Sequence, residues 1–236
     1  MNQMKIWSIV FSIILAISTL HAETKRYEIK SAIIGYTISG GGNMMGIETK
    51  IEGNNKLMFK EWGNVELHEE RSKTIVMGRE ELTHQTTKID SGKVYVVDHI
   101  QKSIIVFDPL TLKQSMYKDL DKSAKEVMLS MKGEKVGEET ILGYDCEVWE
   151  TKQMKFWLHK GVMLKSKVNI MGITQTTKAA NVQFNVSMSD EDFKLPDFPV
   201  KTMEENKQQD NGNAPSQMTP EQMQQMQDMM KNFTQR

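Results

Sequence analysis

The sequence predicts a mainly β protein with few helices, arranged as an antiparallel meander. Three observations carry that expectation. Apolar side chains recur at every second position through much of residues 27–188, the period of strands with one covered face. Short polar turns rich in Gly, Asn and Asp separate these runs, which suits strands that pair with their sequence neighbours. Within that stretch, only residues 119–133 show a helical period.

Residues 1–22 stand apart. One positive charge, Lys5, precedes the uncharged run Ile6 to Leu20, and small Ala22 gives way to the polar start Glu23-Thr24-Lys25-Arg26. This is the pattern of a secretory signal peptide cleaved after Ala22. The apolar run is short for a bilayer span, and no Cys follows Ala22 to accept a lipid. A soluble, exported mature chain of residues 23–236 is expected, not membrane-spanning. Export with Cys146 as the single cysteine leaves no intrachain disulfide, a combination that fits a bacterial periplasm.

In order along the chain, Ile47, Thr49 and Ile51 alternate with Glu48, Lys50 and Glu52, and Gly53-Asn54-Asn55 reads as a turn before Leu57, Phe59 and Trp62. Gly63-Asn64 offers another turn. Thr86 to Ile89 and Val94 to Val97 flank Asp90-Ser91-Gly92, a hairpin signal with Gly at the left-handed position. Ser103 to Asp108 is the next strand. Leu120, Ala124, Val127, Met128 and Met131 then form one stripe of an amphipathic helix, with Asp119 or Asp121 as N-cap and Gly133 past its end. Alternation returns at Tyr144 to Trp149, Lys155 to Leu158, Val162 to Ile170 and Val182 to Met188.

Beyond Phe198 the composition changes. Residues 201–217 have almost no apolar content and are expected to form a disordered linker. Thr219-Pro220-Glu221-Gln222 then looks like a helix start, with Thr as N-cap and Pro at the first helical position. The expected domains are thus a leader (1–22), a β domain (23–200), a linker (201–217) and a Met- and Gln-rich amphipathic helix (218–236).

Charge narrows the partners. The chain carries 30 basic and 31 acidic residues, and loss of Lys5 takes the net charge from −1 to −2. No field of that size draws in nucleic acid.

The segment Gly137 to Trp149, followed by Phe156-Trp157-Leu158-His159-Lys160-Gly161-Val162-Met163-Leu164-Lys165, resembles the LolA-like superfamily of periplasmic lipoprotein carriers and lipid-binding relatives. It is most similar to a branch carrying the DUF4412 domain. Tyr36 to Gly40 as an early strand, Gly46 opening the next, and Phe193-Lys194-Leu195-Pro196 closing the domain agree with that resemblance over residues 27–198. It implies an incompletely closed antiparallel half-barrel with helices over its concave face, holding lipid or lipoprotein acyl chains. The chain departs from the carriers proper in showing no helix before its first strand and in adding the Met-rich tail.

Residue chemistry supports the same kind of site. Two short helices cover a long curved sheet thinly, so Phe59, Trp62, Phe107, Phe156, Trp157 and Phe184 are candidates to line a groove for an apolar ligand, the alternative being that they fill the core. Met223, Met226, Met229 and Met230 lie at helical spacing in the tail. They suit docking into an apolar groove, as a plug for the domain or on an envelope protein partner, better than a Cu(I) or Ag(I) site, since no His or Cys lies in residues 199–236. His68-Glu69-Glu70-Arg71-Ser72 lacks the second His of a zinc-protease motif and reads as a strand end. Cys146, beside Tyr144 and Val148 in the alternation, reads as a small buried side chain rather than a partner for His159. The acidic turn Ser189 to Asp192 lacks the spaced oxygens of a calcium loop, and Gly40-Gly41-Gly42 reads as a hairpin or bulge between strands. No nucleophile, base and orienting group are spaced as an active site, so no enzyme, no metal and no cofactor are expected.

Overall fold

The computed structural model describes residues 25–44, 46–108 and 124–202. Twelve strands form one sheet: β1 (Ala32–Met44), β2 (Ile47–Lys60), β3 (Val65–Val76), β4 (Arg79–Asp90), β5 (Lys93–Asp98), β6 (Ser103–Phe107), β7 (Glu134–Ile141), β8 (Tyr144–Glu150), β9 (Met154–His159), β10 (Val162–Ile170), β11 (Ile173–Phe184) and β12 (Val200–Thr202). Their spatial order is β12-β6-β5-β4-β3-β2-β1-β11-β10-β9-β8-β7. Two meanders, β1 to β6 and β7 to β11, are therefore welded where β1 pairs with β11. All pairings are antiparallel except β12 with β6. The sheet does not close on itself: β7 and β12 are its free edges. This is the expected mainly β, open half-barrel architecture.

Chain reversals explain why long strands stay in register. Met77-Gly78, Ser91-Gly92, Leu142-Gly143, Lys160-Gly161 and Met171-Gly172 each join two strands with both residues at positive φ. Such two-residue turns match the right-handed twist of the flanking strands, and the second position needs the freedom of glycine.

One α-helix lies among the described residues, α1 (Ala124–Ser130), between β6 and β7. Met128 on it is buried and packs with Trp149, Phe156, Leu158 and Val168. Met131, expected on the same stripe, falls past the helix end and is 41% exposed. Residues 119–123 of the expected helix, the leader and the tail helix with Met223, Met226, Met229 and Met230 lie outside the described residues, as does all of the expected linker except 201 and 202.

Several expected turns are strand interior. Gly53-Asn54-Asn55 lies within β2, paired to both β1 and β3. Gly53 is there because a Cβ would sit 2.5 Å from the Arg71 carbonyl oxygen, not because the chain reverses. Gly40-Gly41-Gly42 likewise lies inside β1 between β2 and β11, where a Cβ on Gly40 would come 2.5 Å from the Thr174 oxygen. Residues 68–72 are the middle of β3 rather than a strand end. The strand expected over 182–188 begins earlier, at Ile173, and stops at Phe184, where Asn185 turns to φ 57 and its amide donates to the Ser31 carbonyl.

Both faces of the sheet are covered. Phe156 and Trp157 are consecutive on β9 and bury in different clusters, one under α1 and one in the main core with Ile34, Tyr36, Leu57, Phe59, Val148 and Leu164. Met58 and Leu67 face a third cluster, capped by Phe193 and Leu195 from the segment after β11. A smaller fourth cluster joins Ile89 and Val94 to Val96 and Phe107.

Candidate functional site

The segment before β1 shapes one end of the main core face. Tyr27 N–H donates to the Trp62 carbonyl on the β2–β3 turn, and Glu28 N–H to the Lys160 carbonyl on the β9–β10 turn. Arg26 and Tyr27 are thereby clamped across the face between two hairpin tips. Gly63 leaves room for this crossing, since a Cβ there would lie 2.9 Å from the Tyr27 ring.

Cross-strand partners in register share a face. One row runs Phe59, Glu66, Ile89, Val94, Phe107 across β2 to β6, and the next runs Leu57, His68, Thr87, Val96, Ile105. Beyond them Tyr36, Asn55, Glu70 and Gln85 align. Polar side chains of β2 and β3 thus stand between the apolar main core and the smaller cluster of β4 to β6, all on one face.

Those polar groups are buried. Glu66 is 1% exposed, and its Oε2 accepts from the Tyr27 hydroxyl at 2.8 Å and lies 3.0 Å from an Arg26 guanidinium nitrogen. Arg26 also donates to the Gly63 carbonyl at 3.0 Å. Burial pushes the Glu66 carboxyl above the usual carboxylate range, while Arg26 and the Tyr27 hydroxyl pull it back. The Tyr27 hydroxyl is itself raised by burial and by the Glu66 charge. His68, equally enclosed, has its pKa driven down to about 4 by burial and is neutral at physiological pH. Among the described residues three buried atoms, Asn55 Oδ1, Glu66 Oε1 and His68 Nε2, have no hydrogen-bond partner.

The six aromatic candidates do not meet at one place. Phe59 is fully buried in the main core, its ring 4.2 Å from that of Tyr27. Trp157 joins the same cluster, donating its indole N–H to Glu139 Oε2 at 2.6 Å under the Lys165 ammonium, and Phe184 packs at its border. Phe156 lies under α1 and Phe107 in the β4 to β6 cluster. Trp62 sits at a hairpin tip beneath the Lys25 ammonium, 4.4 Å from its ring centroid. The structure therefore brings together Phe59 and Trp157, with Phe184 beside them, and places Phe107 along the same face beyond the polar row. In the sequence Asn55 reads as a turn residue and His68 as part of an incomplete zinc-protease pattern at a strand end, and nothing singles out Glu66. Their one signal was position, since they alternate with Leu67 and Met58 on strands whose second face is also covered.

Cys146 is buried, its thiol pushed up to about 11 by burial, and it donates to the Tyr144 carbonyl. His159 is engaged with the Asp145 carbonyl at 2.7 Å. Among the described residues no three His, Cys, Asp or Glu side chains are placed to hold a metal, and no helix is long and apolar enough to cross a membrane.

The sequence profile of the domain of unknown function DUF4412 matches residues 39–232. The chain belongs to the DUF4412 family. No curated protein matches this DUF4412 chain. Among solved structures, it is similar to an uncharacterized conserved protein from Thermus thermophilus, with 8% identity, TM-score 0.41, and coverage of 72% of this chain and 90% of the other. A putative outer membrane lipoprotein-sorting protein domain from Vibrio parahaemolyticus gives 13% identity, TM-score 0.32, and 72% and 92% coverage. A LolA superfamily protein from Nitrosomonas europaea gives 10% identity, TM-score 0.33, and 80% and 97% coverage.

Proposed function

We propose that this DUF4412 protein is an exported, non-enzymatic binding protein that holds an apolar ligand, a lipid or the acyl chains of a lipoprotein, along the face of its open sheet. The observation that carries the reading is the arrangement of that face. Aromatic and aliphatic side chains of β7 to β11, β1 and β2 and, beyond the buried polar row, of β4 to β6 line one face of a sheet with two free edges, and α1 packs on a different cluster. An apolar lining in a shell that need not close suits a long, flexible, poorly hydrated guest. Cleavage after Ala22 would release such a carrier into the periplasm. A reporter dye whose fluorescence rises in apolar surroundings, titrated into mature protein (residues 23–236), tests the reading. Saturable binding reversed by methyl oleate is expected; a linear, non-saturating response contradicts it.

A further inference from the structure

We propose that the buried polar row of β2 and β3 receives the hydroxyl head of an amphiphile whose apolar body lies along the same face. This rests on the apolar-ligand reading above and adds what the face recognises. Asn55, Glu66 and His68 are 5%, 1% and 1% exposed, yet each keeps one polar atom without a partner. Such atoms are rare in folded proteins because each has given up its water without replacement. Here three occur on one face of two paired strands. His68 follows Glu66 by two residues on β3, and Asn55 stands one register step further on β2, opposite Glu70. A shared guest is the economical explanation for the cluster.

The chemistry of the three atoms selects the guest. Glu66 Oε1 and Asn55 Oδ1 accept, so the guest must donate. A cation is disfavoured, because the Glu66 charge is already met by Arg26 at 3.0 Å and the Asn55 and His68 side chains are neutral. A hydroxyl donates to either oxygen and can also pair with His68 Nε2 in whichever tautomer the ring adopts. The neighbours then fix the rest of the molecule: Phe59 and Leu57 flank Glu66 and His68 on the β2 side, while on the β4 side Ile89 and then Val94 follow Glu66, and Thr87 and then Val96 follow His68. An alcohol or glycerol head on a hydrocarbon chain fits both.

Isothermal titration of delipidated mature protein with two probes of equal chain length tests this. Monooleoylglycerol carries two hydroxyls, and methyl oleate carries no donor. Wild-type protein is expected to bind monooleoylglycerol about tenfold or more tighter, the effect of one recovered buried hydrogen bond or more. In His68→Leu and Asn55→Val, each checked for folding by urea titration, that ratio is expected to fall towards one. Glu66 is left intact because removing it strands Arg26. Equal affinity for both probes in the wild type, the result if the three atoms hold only a buried water, overturns the proposal and leaves the apolar-ligand reading standing. A preference that survives both substitutions also overturns it. Failure of methyl oleate to bind at all contradicts the apolar-ligand reading itself.

Discussion

His68 makes stability depend on pH in a way that a single substitution isolates. Its imidazole is 1% exposed and neutral, with a folded pKa of about 4 against an ordinary value of 6.5. A depressed histidine pKa means the unfolded chain binds the proton first, so stability is intact above about pH 6.5 and is lost as pH falls towards 4. At about 1.36 kcal/mol per pH unit, the loss attributable to His68 reaches about 2 kcal/mol at pH 5 and about 3 kcal/mol at pH 4. Other groups titrate in the same window, including His99, whose pKa is lowered by burial and by the neighbouring His84 charge. Comparison with His68→Leu removes them, since they are common to both proteins. The assay is urea unfolding at pH 7 and pH 5 in both. At pH 7 the leucine variant is expected to be about as stable as the wild type, since an unpaired buried nitrogen is exchanged for a similar apolar volume. Between pH 7 and pH 5 the wild type should lose about 2 kcal/mol more than the variant. Equal losses in both would refute the claim that His68 is held neutral by burial.

Four further outcomes follow from the packing. Arg26→Ala leaves the Glu66 carboxylate buried without its cation and should cost about 3 to 5 kcal/mol in urea unfolding, much more than loss of an exposed pair such as Lys50 with Glu52. Gly53→Ala drives a methyl group to 2.5 Å from the Arg71 carbonyl and should cost about 1 to 3 kcal/mol, whereas Gly137→Ala meets nothing within 4 Å and should change melting little. Met128→Ala empties a fully buried position on the covered side of α1, at about 2 to 5 kcal/mol, while Met131→Ala, 41% exposed, should stay within about 0.5 kcal/mol. Alkylation of Cys146 should be slow in native protein and accelerate on unfolding, because its thiol is enclosed and its pKa is raised to about 11.

Much of the fold was legible wherever one strand face is apolar and the other polar. Val162–Ile170 emerged with the expected bounds, and Ser91-Gly92 turned where an Asp-Ser-Gly signal placed it. Three strands left too little trace, among them β12 (Val200–Thr202), which falls where the composition reads as linker. All residues of β7 but Ile141 are exposed, so no alternation marks it, and the first half of β11 is largely Thr, Gln and Lys. Glycine misled in β1 and β2 because the same residue serves turns and close approach of neighbouring backbones, and sequence alone does not separate the two uses. The site followed the same logic. Leu67 announces one covered face of β3, and simple alternation then leaves Glu66 and His68 on the side that would ordinarily face water. Burial of that second face depends on Arg26 and Tyr27, folded back from some forty positions earlier in the chain. The aromatic candidates were legible as apolar, but the split of Phe156 and Trp157 between two clusters belongs to a sheet buttressed on both sides.

An apolar guest carried along the open sheet would leave the cell with the protein and add to its mass. The measurement is native mass spectrometry of the protein expressed from its full sequence and isolated without detergent. Added mass that dissociates as lipid is expected. A bare polypeptide mass, with none acquired on incubation with envelope lipids, would contradict it.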